Sequence, residues 1–457
     1  MKRLFLICIM VLLPGLAAAG WEFIPPMPHA RYGHDAALGP DGRIYVMGGL
    51  VVEAIGSPPS QHDSHNGVYS NLVYDPDSRS WQYGEPVPGW YCGEYYFQPD
   101  TQKETWKNGW VELGYVHSKN NDRFEILNPK SRKGEIIRIE IDKLRNTGFD
   151  RQGDGVENIA LPNGTIWWIG GRGRSVWAGR GERLVLPYHP KTDTWPQYIR
   201  KSDPRTEKSG FQTTAPEMRE RRMGHEAVRT PDGRIYVFGG WRYEKERKEI
   251  KGRKVDEPYY AYTRQAATGT VECYNPDTNQ WTYRAPMSSK RLMHAAAPGP
   301  DGNIYVFGGA ANMSAAKKDI FLNSTEMYDP QTDTWSKRRP MPKPRGTHAA
   351  VLAADNRIYI IGGAGRRLMQ KGRPSPPLRD VFIYDPARDS WSRGPSMNIP
   401  RSTLAAVATP DGKIYAIGGT DAGAYNIRET MNFFLPEEME LSTGKLQKTV
   451  EVLEINP

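Results

Sequence analysis

The chain is poor in cysteine. Only Cys8, Cys92 and Cys273 occur in 457 residues, which excludes a disulfide-built scaffold. The last two fall on different sequence repeats, so two separate buried thiols are expected. Long apolar runs are also lacking. The one at the start, Leu4 to Leu13, follows Lys2 and Arg3 and gives way to Pro14-Gly15 and Ala17-Ala18-Ala19. It is shorter than the ~20 residues a membrane span needs, and its layout predicts a cleaved signal peptide over residues 1–19. Export to a periplasm or the extracellular space follows, with no stable membrane insertion after cleavage. A nucleophile elbow, a Gly-rich phosphate loop and a metalloprotease helix motif are all missing. Nor is charge of one sign concentrated: 61 Lys and Arg face 52 Asp and Glu, a net of +9. The basic run Arg242 to Lys254 is broken by Glu244, Glu246 and Glu249, which marks a solvated segment and not a nucleic-acid patch.

Glycine and proline are plentiful, and they recur in order. Pro231-Asp232-Gly233-Arg234-Ile235-Tyr236-Val237-Phe238-Gly239-Gly240 is a tight turn, then a β-branched and aromatic run, then a Gly pair. That reads as a strand entered from a hairpin. Near-copies run from Pro40 to Gly49, Pro162 to Gly171, Pro300 to Gly309, Asp355 to Gly363 and Pro410 to Gly419. A second signature follows each of five of them: Tyr74-Asp75-Pro76, Tyr188-His189-Pro190, Tyr274-Asn275-Pro276, Tyr328-Asp329-Pro330 and Tyr384-Asp385-Pro386. Trp81, Trp195, Trp281, Trp335 and Trp391 stand at a constant offset behind it. Arg-x-x-His then opens a further strand. Each unit thus has four strands: a from Arg-x-x-His, b ending at Gly-Gly, c ending at Tyr-Asp-Pro, and d starting at Trp.

This set of motifs resembles the kelch repeat. The resemblance implies an all-β propeller of four-stranded antiparallel blades around a central channel, one domain spanning residues 20–457. Trp21 has Met27 and Arg31 at the offsets seen after Trp281, Trp335 and Trp391. The N-terminal strand is therefore expected to complete the last blade and close the ring. Six Gly-Gly strands are clear, and the gap from Gly49 to Gly171 spans about two repeats. Arg123 to Pro129 and Glu135 to Ile141 look like strands within it. A degenerate blade in residues 81–150 makes seven blades; the alternative is six blades with an insertion there.

Topology puts the short a–b and c–d turns on one face. The long b–c connections and the blade-to-blade links lie on the other, where binding usually sits. Arg31, Arg222, Arg291, Arg345 and Arg401 each open strand a and are expected to ring the channel mouth on that face. The same positions hold Arg in some kelch domains that capture acidic peptides, so the resemblance implies an anion site. Arg172, Arg174, Trp177 and Trp241 would add guanidinium forks and flat rings from the loops. The competing reading pairs each ring Arg with carbonyls or carboxylates between blades.

His34, His225, His294 and His348 share one repeat position and read as buried structural residues. His62, Asp63 and His65 are the metal-like set, but no metal or cofactor is expected. Tyr91, Cys92, Tyr95 and Tyr96 resemble parts of the copper site of galactose-oxidase-like propellers, but that family's copper site also draws a His from an extra C-terminal domain, and this activity is not expected here. The favoured function is exported recognition of an acidic glycan or a carboxylate-bearing protein segment. The alternative, implied by similarity to sialic-acid mutarotases, is a sugar isomerase with Glu226 beside His225 as its acid–base group.

Overall fold

The computed structural model describes residues 20–51 except 29, 66–67, 71–85, 115–119, 123–127, 136–140, 156–171, 183–199 except 197, 210–211, 213–247, 260–311, 321–365, 369–370, 373–374, 376–421 and 447–455. The leader-like residues 1–19 lie outside these, as do His62, Asp63, His65, Tyr91, Cys92, Tyr95, Tyr96, Arg172, Arg174 and Trp177.

Six antiparallel sheets form the propeller. Blade 1 orders its strands Tyr32–Leu38, Ile44–Val51, Asn71–Asp75 and Ser80–Gly84 from inside to outside. Blade 2 has Val156–Ala160, Ile166–Gly170 and Val185–Tyr188, with a single bridge from His189 to Thr194 where strand d begins. Blades 3, 4 and 5 start at the inner strands Glu226–Arg229, Ala295–Pro298 and Ala349–Leu352 and have four strands each. Blade 6 takes Ala405–Ala408, Lys413–Ile417 and Val450–Glu454 from the C-terminal part of the chain and its outer strand, Glu22–Ile24, from the N-terminal part. Glu22 lies opposite Val452 and Ile24 opposite Val450. The expected closure of the ring is what the structure has.

The blade count corrects the expectation of seven to the alternative of six. Residues 123–127 and 136–140 do pair antiparallel, but with Tyr115–Lys119 they make a separate sheet that among the described residues is strand-paired to no blade. The inner strands of blades 1 and 2 are direct neighbours around the channel. The Trp pegs confirm the order. Each strand-d indole donates to a carbonyl of the preceding blade's exit: Trp21 to Pro395, Trp81 to Pro25, Trp195 to Glu85, Trp281 to Pro216, Trp335 to Ala285 and Trp391 to Arg339, all at 2.8–2.9 Å. Trp195 reaches back to Glu85, so blade 2 docks on blade 1 and the stretch between them is an insertion. A polar tip on a large apolar ring suits such a peg.

Candidate functional site in the central channel

The five ring arginines are completely buried, at 0% exposure, and this corrects the reading of them as an anion site. Each reaches the first Gly of its own blade's pair. Arg222, Arg291, Arg345 and Arg401 donate to the carbonyls of Gly239, Gly308, Gly362 and Gly418 at 2.9–3.0 Å, and Arg31 donates to Gly48 at 3.4 Å. Three also meet a strand-c carboxylate. Arg222 pairs with Glu272 and Arg401 with Glu451, both at 2.6 Å, and Arg291 pairs with Glu326. The same carboxylates accept backbone N–H groups from the blade-to-blade link: Arg219 and Glu220 on Glu272, Ser288 on Glu326, Asn398 and Ile399 on Glu451. In blades 3, 4 and 6 an Arg–Glu pair thus staples the incoming link to its blade. A buried guanidinium needs such partners, because desolvating a lone charge costs far more than the pair returns in water. In blade 5, Phe382 stands opposite Ile360, where the register of blades 3, 4 and 6 places the glutamate. Arg345 lies over its ring, 4.5 Å from the centroid, and burial brings its pKa down to about 10. Burial does the same to Arg31.

Trp241 does not stand on the loop rim where it was expected. It is 3% exposed, packs with Met223, Ala267 and Leu292, and lines the central cavity.

The four histidines are interblade packing. His225 presses Cε1 toward Gly170 of blade 2, His294 toward Gly239, His348 toward Gly308 and His34 toward Gly418. A Cβ on Gly239 would meet the Arg291 carbonyl at 2.5 Å, and its φ is +56°. Glycine is required there for both reasons. Burial first, then the adjacent Arg, pushes the pKa of His225 down to about 3; His34 falls to about 3 for the same causes.

The channel itself holds the chemistry. Its cavity measures about 520 Å³ and is lined by the six inner strands. Asp35, Glu157 and Glu226 line it from blades 1, 2 and 3. Asp35 accepts the Asn158 N–H at 2.5 Å and Glu157 the Ala227 N–H at 3.4 Å, each one blade onward. Glu226 accepts the backbone N–H of Ala296 in blade 4. Desolvation inside the channel is the largest cause holding all three carboxyls above the usual range, though each keeps some exposure to the cavity. Like charge adds to it: Glu226 and Asp35 act on Glu157, and Asp35 acts on Glu226. Asp35 rises to about 7.

Sequence reasoning singled out Glu226 but missed Asp35 and Glu157. Asp35 was findable, since it sits four places after Arg31 as Glu226 does after Arg222. His225 and Glu226 do not form the expected acid–base pair. His225 turns back to blade 2 and Glu226 forward to blade 4, and Arg222 is engaged with Glu272.

Asp35→Asn is expected to gain stability relative to the parent as pH rises from about 4 to about 7. An unfolded Asp loses its proton near pH ~4, whereas folded Asp35 keeps it to about 7. Through this residue, raising pH across that window favours unfolding of the parent and not of the variant. Melting temperatures of both proteins across pH 4–8 check this; parallel curves would contradict it.

Residues 259–449 match the KLHDC2/KLHL20/DRC7 Kelch-repeats domain, and residues 221–288 match the Kelch motif. The chain is 29% identical to alpha-scruin of Limulus polyphemus over 52% of this chain and 21% of that protein. It is 30% identical to Kelch repeat and BTB domain-containing protein 12 of Homo sapiens over 33% and 25%, and 28% identical to Kelch-like protein 26 of Danio rerio over 49% and 40%. The chain thus matches between a fifth and two fifths of the length of these relatives. With these motif matches beside the six-bladed ring, the fold is an all-β propeller of kelch type.

Proposed function

We propose that the chain is an exported binding scaffold that holds an acidic segment of a protein partner on the face of its b–c connections. One observation carries this: the two faces are unequal. The a–b and c–d turns are short, while the connections on the other face are long. Those at residues 172–183, 241–268, 310–323 and 364–380 carry net positive charge, against a net negative one at 50–70 and 420–448. Residues 364–380 hold Arg366, Arg367, Lys371, Arg373 and Arg379 against Asp380 alone. Described residues of the links and loop ends add Arg219, Lys290, Lys343 and Lys448, all exposed. The contacts come from this rim and not from the buried ring arginines. Similarity to Kelch-like proteins supports a scaffold over an enzyme. An acidic glycan would meet the same cations, but Trp241 is buried and gives it no flat platform.

The test is selection of displayed peptides on residues 20–457. Enrichment of Asp- and Glu-rich sequences is expected, with affinity that weakens as salt rises. Lys343→Glu with Arg379→Glu should weaken binding roughly tenfold, from about 0.5–1 kcal/mol per rim charge. Neutral or basic sequences that ignore salt would overturn the reading. Export is tested separately by N-terminal sequencing of the exported form, which should begin at Gly20; an intact Met1 would refute cleavage.

A further inference from the structure

The channel wall is divided. At the repeat position four places after the ring Arg, blades 1 and 3 carry Asp35 and Glu226, whereas blades 4, 5 and 6 carry Ala295, Ala349 and Ala405. Blade 2 adds Glu157, whose backbone contact matches theirs. Three consecutive blades are acidic and the other three are apolar. We propose that this chamber binds an organic cation, with an alkylammonium or guanidinium group on the acidic arc of Asp35, Glu157 and Glu226 and its aliphatic stem against the alanine wall.

Four observations carry the assignment. The first is an amide in the same place without a partner. Asn158 lines the cavity and is 3% exposed, and neither its side-chain nitrogen nor its oxygen has a hydrogen bond. Alternate side chains on a strand face opposite ways. Glu157 reaches forward to blade 3, so Asn158 faces back into the seam that holds the Asp35 carboxylate. Buried amides normally find partners, and a ligand ammonium would give this oxygen one. Second, no lysine or arginine among the described residues forms an ion pair with the three carboxylates. Arg229 also lines the cavity, but at the far end of its strand from Glu226 and on the alternate side. Third, the other groups on the wall that titrate near neutral pH, His34, His225, His294 and His348, are held neutral by burial. Fourth, the acids are spread over three blades, and no three His, Cys, Asp or Glu among the described residues are placed to hold a metal ion. An arc of acceptors suits a cation with several N–H donors better than a point ion. The site is separate from the rim, whose charge is of the opposite sign.

A bound cation favours the ionised carboxylates, so binding should release protons near neutral pH. The experiment is calorimetry of residues 20–457 with n-hexylammonium and with 1-hexanol, at pH 7 in two buffers of different ionisation enthalpy. The amine should bind and release protons, and the alcohol should bind roughly tenfold more weakly or not at all, as loss of a buried charged partner predicts. Glu157→Gln with Glu226→Gln, checked for folding by circular dichroism, should lose the preference for the amine, while Arg388→Gln on an exposed turn should keep it. Equal binding of the alcohol, no binding of the amine, or binding without proton release would each overturn the proposal. The last readout uses the parent protein and needs no variant. Competition by a glycine-flanked lysine peptide would assign the cation to a protein partner; its failure to compete would assign it to a free amine.

Discussion

Trp21→Ala is expected to destabilise the protein by about 3–5 kcal/mol, the usual cost of emptying a buried Trp site. Phe23→Ala, two residues away, should change stability by about 0.5 kcal/mol or less. Trp21 is 5% exposed and packs among Tyr359, Met397 and Leu453. Its indole donates to the Pro395 carbonyl at 2.8 Å, and the Asn398 amide donates to its own carbonyl at 2.7 Å. Phe23 is 51% exposed on the same short strand. Five blades are built from successive stretches of chain, and only blade 6 joins residues from both ends. Its outer strand therefore closes the ring as well as filling a packing site. Removing residues 20–24 should cost more than Trp21→Ala, because strand Val450–Glu454 then becomes an open edge. Urea denaturation followed by circular dichroism and fluorescence measures all three variants. Equal, small effects for Trp21→Ala and Phe23→Ala would mean that the ring does not depend on this seam.

The parts of the fold that were legible in sequence are those where backbone geometry forces the residue. A Gly pair is needed where the next blade's Arg carbonyl comes close, joined by a His ring at Gly170, Gly239, Gly308 and Gly418 and by Leu404 at Gly362, so it recurs visibly along the chain. The Trp peg recurs because each indole must reach a carbonyl of the blade before it. The blade count was not legible, because residues 115–119, 123–127 and 136–140 carry strand-like alternation and form a sheet, yet the stretch lacks the Gly pair and the Trp that dock a blade into the ring. The partners of the ring arginines were hidden for another reason. Glu272 lies 50 residues after Arg222 and Glu451 lies 50 after Arg401, but Glu326 lies only 35 after Arg291. The b–c connection between them varies in length, so no fixed spacing marks the pair. A basic residue repeated around a ring looked like a site, because its counter-charge sits on a different strand at a drifting offset. Glu157 escaped notice because Gly153 stands four places before it, where the ring Arg precedes Asp35 and Glu226.

Glu451→Leu is expected to destabilise the protein by about 3–5 kcal/mol, the typical result of stranding one partner of a buried ion pair. Arg401 and Glu451 are both completely buried. Removing the carboxylate takes the 2.6 Å partner from Arg401 and the acceptor from the backbone N–H groups of Asn398 and Ile399, at 2.7 and 3.2 Å. Arg401 keeps the carbonyls of Gly418 and Thr449, which orient the guanidinium but do not neutralise it. The double variant Arg401→Leu with Glu451→Leu should be less damaged than Glu451→Leu alone, since replacing both charges by apolar groups of similar volume is often close to neutral. Blade 5 supplies an internal comparison. Arg345 has two backbone carbonyls and the Phe382 ring in place of a strand-c carboxylate. Phe382→Leu there removes a cation–π contact worth about 0.5–2 kcal/mol and strands no ion-pair partner, so it should cost less than Glu451→Leu. Urea unfolding at pH 7 with unchanged m-values gives each difference. A loss below about 1 kcal/mol for Glu451→Leu, the scale of an ordinary surface pair, would show that the link is held without the Arg–Glu staple.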